Sequence, residues 1–311
     1  SLQAGNKAVA VQQFRLARES LEAAIERDRA RQLLLDRTGA EPSRIQALLQ
    51  NRAERVTALY RIGRGLLNAG EPQEALPLLE QAFSSAQTDS PGRMVEQSLA
   101  LTLALAKAQT MPEQPKTTSR SFFSFSYFAM DADYASYIKA LTGIRTLVFK
   151  GLAFNKSAAA YIQGARTLLL IGDDREAVSY LRSAISLDPR AVDAYLLLGS
   201  HLESLGMLIQ ARELYSQGLQ QVPDSVQLAT AYALATYHML PVDQSLPRLQ
   251  EAVKMGGRDP YLFASLGDCY RKLGWVNQAR AAYKAGLVFN PKAKPLVDRL
   301  ATLPPASRAL P

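Results

Sequence analysis

The chain has 311 residues, 48% of them apolar and 21% charged, with a formal net charge of +8 at pH 7. That composition supplies enough apolar surface for a large core, and at this length a single core gives way to several domains or to a repeat array. One cysteine, Cys269, excludes an intramolecular disulfide and a cysteine-built zinc site, and the only two histidines, His201 and His238, stand far apart in sequence, so neither a metal nor a cofactor is expected.

From the N-terminus, residues 6–37 read as one long helix heavy in Arg and Glu, whose Glu22, Glu26, Arg29 and Arg31 mark a solvated face. GAEP at 39–42 reads as a turn, and 42–69 as a second long helix. Gly5, Ala10, Phe14 and Ala17 have the spacing of a turn followed by the second helix of a repeat, as expected of a piece cut from a longer array. Residues 56–89 carry one clear helical unit, with Leu59, Ile62, Gly63, Leu66, Gly70, Ala75, Leu79 and Ala82 at helical spacing. Residues 1–110 are therefore expected to form an N-terminal helical array.

The pattern lapses over 111–157. MPEQPKTTSR, polar and carrying two prolines, reads as an exposed loop, and a strip unlike anything else in the chain follows it: SRSFFSFSYFAM, Ser119 to Met130. Phe123, Phe125 and Tyr127 alternate with serines, so an extended segment would put all three on one face. Phe122 and Phe128 complete this candidate contact strip. Two readings stay open: it covers helix faces at the break as core, or it lines or enters a binding groove. Asp131 or Asp133 is placed to cap the next, irregular helix.

From 158 to 293 the chain repeats every 34 residues. The first unit has Tyr161, Gly164, Ala165, Leu168, Gly172, Ala177, Leu181, Ala184 and Pro189. The second has Tyr195, Leu198, Gly199, Leu202, Gly206, Ala211, Tyr215, Gly218 and Pro223. The last has Phe263, Leu266, Gly267, Tyr270, Gly274, Ala279, Tyr283, Gly286 and Pro291. Small residues at the eighth and twentieth positions let two helices approach closely, and larger ones at positions 4, 7, 11 and 24 fill the space between units. Gly172, Gly206 and Gly274 fall where the first helix of each unit must stop and turn. The third unit, 226–259, is degenerate: Leu240-Pro241 replaces the turn glycine and Ser245 the small alanine. Lys294–Thr302 reads as a short cap over the last apolar face, followed by a frayed tail.

This pattern resembles the tetratricopeptide repeat family, whose unit is two antiparallel helices in 34 residues. The resemblance implies an all-α chain, a right-handed superhelix of helix pairs with an irregular aromatic-rich insert near the middle. It also implies a concave groove lined by the first helices at positions 2, 5, 9 and 12. Carried over here, those positions give Ala159, Ile162, Arg166 and Leu169, then Asp193, Leu196, Ser200 and Glu203, then Gln227, Thr230, Leu234 and Tyr237, then Tyr261, Ala264, Asp268 and Arg271. Tyr237 and Tyr261 are candidate aromatic anchors, and Arg166 and Asp268 are expected to face the groove without an acid or base beside them. The Lys and Asn pattern by which some members clamp a C-terminal carboxylate is not matched.

No nucleophile, phosphate-loop, dinucleotide or metalloprotease motif occurs, and Asp173-Asp174 sits at a turn where short acidic residues cap a helix. The expected function is a non-catalytic scaffold or adaptor that holds a peptide or amphipathic helix of another protein in its groove. An alternative is a periplasmic or regulatory segment of a larger bacterial export machine, outer-membrane system or enzyme, contacting other domains of a longer parent chain. A weaker one is an array whose basic end binds an anionic polymer, since positive charge concentrates over 248–311 and 107–156. No basic–aromatic module for nucleic acid is present, no apolar run reaches the roughly 18 residues of a membrane span, and the first residues do not form a signal peptide.

Overall fold

The structure, a computed structural model, describes residues 2–38, 42–89, 93–113 and 132–304. The aromatic strip and Asp131 lie outside them. All the regular structure described is helical: α1 (Leu2–Thr38), α2 (Pro42–Asn68), α3 (Pro72–Asp89), α4 (Arg93–Gln109), α5 (Ala132–Phe154), α6 (Ala158–Leu170), α7 (Asp174–Leu187), α8 (Val192–Ser204), α9 (Leu208–Gln221), α10 (Val226–Met239), α11 (Val242–Lys254), α12 (Pro260–Lys272), α13 (Val276–Phe289) and α14 (Lys294–Ala301). No described helix is long and apolar enough to cross a membrane. The chain divides into two compact units, Ser1–Tyr180 and Leu181–Pro311, with the division inside α7.

In the first unit α1 packs on α2, α2 on α3, and α3 on α4. The α2–α3 hairpin closes on Gly63, where an added Cβ would lie 2.8 Å from the Leu79 side chain, so the glycine permits the approach. Arg15 of α1 reaches across to Glu74 of α3 in a two-donor ion pair. Helices continue beyond the clear unit at 56–89: α4 and α5 pack against each other, and α4 also carries α6. Leu101 of α4 fills the place where Gly151 of α5 lacks a side chain. The described residues between the recognisable repeats thus form a helix pair of unusual sequence.

In the second unit successive helices from α8 to α14 pack in series. Gly206 and Gly274 end α8 and α12 at φ +75° and +77°, a left-handed conformation that a side chain disfavours. Each end is closed by two backbone bonds, Gly206 N to Glu203 O (2.9 Å) with Met207 N to Leu202 O (2.9 Å), and Gly274 N to Arg271 O (3.0 Å) with Trp275 N to Tyr270 O (2.9 Å). The degenerate third unit solves the same turn differently. Leu240 is extended (φ −117°, ψ 156°), the conformation the following proline favours, and α11 starts directly after Pro241. Ser245 stands where its neighbours have alanine. It is buried, and its hydroxyl donates to Pro241 O at 3.1 Å, so the polar atom is satisfied.

A size exchange runs through this array. Gly199 lies under the ring of Tyr215, and Gly267 under the ring of Tyr283; an added Cβ would approach each ring to 2.2 Å. In the degenerate unit the same two places hold Ala233 and Leu249, both fully buried. Glycine with tyrosine and alanine with leucine are two fillings of one gap at interior packing density.

Candidate functional site: the inner wall of the second unit

The first helices of the second unit touch one another in sequence, α8 with α10, α10 with α12, and α12 with α14. Among the described residues the second helices, α9, α11 and α13, make no such contacts with one another. The array therefore draws together on its first-helix side, and that side forms an inner wall. Of the residues expected there, Asp193, Ser200, Gln227, Tyr261 and Arg271 are exposed. Leu196, Glu203, Thr230, Leu234 and Tyr237 are half-buried. Tyr261 is 62% exposed and stands out from the wall. Ile162 and Leu169, half-buried, and Arg166, exposed, lie on α6 in the first unit.

A cavity of about 510 Å³ opens on this wall. Its lining comes from the end of α8 (Glu203), one face of α10 (Val226, Gln227, Thr230, Ala231, Leu234) and the α11–α12 turn (Gly257, Arg258, Asp259). Its size falls in the range of about 300–1,000 Å³ typical of ligand sites. The Glu203 carboxyl is pushed above the usual carboxylate range by burial, against the opposing pull of His238 and of a hydrogen bond with Tyr215. The Tyr215 hydroxyl is raised in turn by burial and by the Glu203 charge. Thr230 spends its hydroxyl proton on Val226 O (2.8 Å). Asp259 caps α12 through Oδ1, which accepts from Tyr261 N at 2.7 Å. The Arg258 guanidinium lies 5.5 Å over the ring of Phe289. A smaller hollow, about 270 Å³, sits on the other side of the array between α9, α10 and α11, lined in part by Tyr232, Arg248 and Glu251.

Two wall residues behave differently from expectation. Ala264 is buried beneath the surface. Asp268, expected to face the groove without a charged neighbour, is only 4% exposed and fully engaged. Its Oδ1 accepts from the Tyr283 hydroxyl (2.8 Å) and lies 3.6 Å from Arg271 Nη2. Its Oδ2 accepts from Arg299 Nε (2.8 Å) and from the Tyr237 hydroxyl (3.4 Å). A buried carboxylate needs this company, because desolvation without paired charge is costly. For Arg299, burial acts to lower the guanidinium, and the hydrogen bond and charge of Asp268 outweigh it, so it ends raised. Burial, then the Asp268 charge, raises the Tyr237 hydroxyl. Asp268 thus ties α10, α12, α13 and α14 together. Tyr237 serves that cluster through its hydroxyl and offers its ring to Lys272, whose Nζ lies 5.4 Å from the ring centroid.

Sequence reasoning about groove positions missed Tyr215, Tyr283, Arg299, Arg258 and Asp259. The tyrosines had a visible signal, since each occurs in a unit with glycine at the eighth position. Their hydroxyls pass over that glycine and reach the inner wall to meet Glu203 and Asp268. Arg299 and the turn residues lie outside the groove positions of the repeat and had none. No group of three or more His, Cys, Asp or Glu among the described residues is arranged to hold a metal ion.

Two segments match tetratricopeptide repeat family models, residues 162–226 and 261–292. A search of curated proteins returns no match. Among solved structures, PilF of Pseudomonas aeruginosa is similar in fold, with a TM-score of 0.54 at 15% identity, over 81% of this chain and 99% of PilF. A thermophilic tetratricopeptide protein of Thermus thermophilus, TTC0263, matches 54% of this chain and 92% of its own length at 22% identity and a TM-score of 0.41. YrrB, described as a tetratricopeptide protein with an unusual peptide-binding site, matches 52% of this chain and 84% of its own length at 14% identity and a TM-score of 0.42.

Proposed function

We propose that this tetratricopeptide-repeat protein is a non-catalytic scaffold that holds an extended segment or amphipathic helix of a partner protein against the inner wall of its second unit. The observation that supports this reading best is the 510 Å³ cavity on the first-helix side, where Glu203, Gln227, Thr230 and Leu234, all at groove positions of the repeat, converge. Leu196 and Leu234 supply partly covered apolar surface, and Tyr261 stands ready as an aromatic anchor. Asp268 and Tyr237 support the wall from behind, so Asp268 is a scaffold residue and not a contact.

Affinity capture with the full chain, run beside Tyr261→Ala and Gln227→Trp, tests the reading. Both positions are exposed, so the variants keep the fold. Partners held by the parent chain should be lost from both variants and kept by Arg248→Ala on the opposite side. Loss on Arg248→Ala with retention on the two inner-wall variants would reverse the assignment.

A further inference from the structure

The wall cavity has a chemical bias. Glu203 and Asp259 bring carboxylates to it, and the one cation in its lining, Arg258, is laid over Phe289. The Thr230 hydroxyl has given its proton to its own helix and presents lone pairs. Carboxylates therefore outnumber cations in the lining by two to one, on a chain whose net charge is +8. Beside them Val226, Ala231 and Leu234 form an apolar flank. A long aliphatic stem ending in a cation matches that division, because its methylenes can lie on the apolar flank while its head reaches the carboxylates.

Resting on the reading of the inner wall as a peptide site, we propose that this cavity takes a lysine or arginine side chain of the partner's bound segment, with Glu203 as its counter-ion. Glu203 suits the role because burial has already stripped part of its water, so a cation arriving there relieves an existing cost. The Tyr215 hydroxyl lies within hydrogen-bonding reach of the carboxylate. Asp259, held by its capping bond at the start of α12, adds a second negative charge at the rim without needing to move. An acidic peptide would meet two carboxylates there and gain only Arg258, and only by pulling it from Phe289.

The test screens an array of N-acetylated, C-amidated dodecapeptides of random sequence with the full chain, then measures the best binder by fluorescence anisotropy. Binders should share a lysine or arginine beside a large apolar residue. Replacing that basic residue with norleucine should weaken binding about tenfold, as expected for a charge-assisted hydrogen bond. Glu203→Gln should cost the same peptide about tenfold, and the two changes together should cost little more than either alone. If the norleucine peptide binds as well as its parent, or Glu203→Gln changes nothing, while Gln227→Trp still abolishes binding, the cation site is wrong and the peptide groove stands. Binding that survives both Gln227→Trp and Tyr261→Ala removes the groove reading and this proposal with it. A screen that yields no binder overturns the proposal as well.

Discussion

Gly267→Ala probes the packing that builds the inner wall. On an ordinary helix this change stabilises by about 1 kcal/mol, since alanine is the better helix former. Here the new Cβ would lie 2.2 Å from Tyr283 Cε1 and 2.5 Å from Cδ1. The ring cannot swing aside cheaply, because Tyr283 is fully buried and its hydroxyl is bound to Asp268 at 2.8 Å. Overpacking of this kind costs about 1–3 kcal/mol, and a lost hydrogen bond to a charged group adds about 1.5–3 kcal/mol. Set against the propensity gain, the net expectation is a loss of about 1.5–5 kcal/mol, read from urea denaturation followed by circular dichroism. The double variant Gly267→Ala/Tyr283→Leu copies the Ala233 and Leu249 pair of the degenerate unit and should recover the steric part, giving a strongly non-additive cycle. A neutral or stabilising Gly267→Ala, or a double variant whose loss is the sum of the two singles, would refute the argument.

Glu203→Gln should raise the melting temperature at neutral pH. Because burial raises the folded-state pKa of Glu203, the stability it contributes is fully present below the ordinary carboxylate pKa of about 4.3 and lost as pH rises through the raised value. The advantage of the variant should therefore be present at pH 7 and close as pH falls below about 4.3, which calorimetry at several pH values would show. Asp268→Ala should destabilise by about 1–3 kcal/mol by leaving the buried Tyr283 hydroxyl without its acceptor, whereas Asp298→Ala on the exposed side of α14 should change stability by less than about 0.5 kcal/mol in the same denaturant titration. The Cys269 thiol is fully buried and raised by that burial, so a thiol-reactive dye should label the native chain only at the rate of unfolding; rapid stoichiometric labelling without denaturant would contradict its placement.

The repeat was legible because it is written in residues that have no choice. Gly206 and Gly274 must adopt positive φ, Gly199 and Gly267 must admit a ring, and all four recur at a fixed spacing. The long helices at 6–37 and 42–69 also emerged, as α1 and α2, from unbroken runs of helix formers between turn residues. The α4–α5 pair was harder to see. Its close contact uses Gly151 against Leu101, far from the repeat positions for such a pair, so a search keyed to the repeat passes over it. Glu203, Gln227, Thr230 and Leu234, named from groove positions, line one cavity because side-chain direction follows from helical register. The same register could not tell that Asp268 would be claimed from behind, since its partners come from α10, α13 and α14. Periodicity reports which way a side chain leaves its helix, and not what meets it.

Whether a partner segment lies along the inner wall of the second unit is decided by methyl NMR on the full chain, titrated with the best dodecapeptide of the screen. The methyl groups of Leu196, Leu234 and Val226 should shift, with those of Leu214 and Leu219 on α9 unchanged. Shifts confined to Leu214, Leu219 and the Met255 methyl beside the opposite hollow would contradict it.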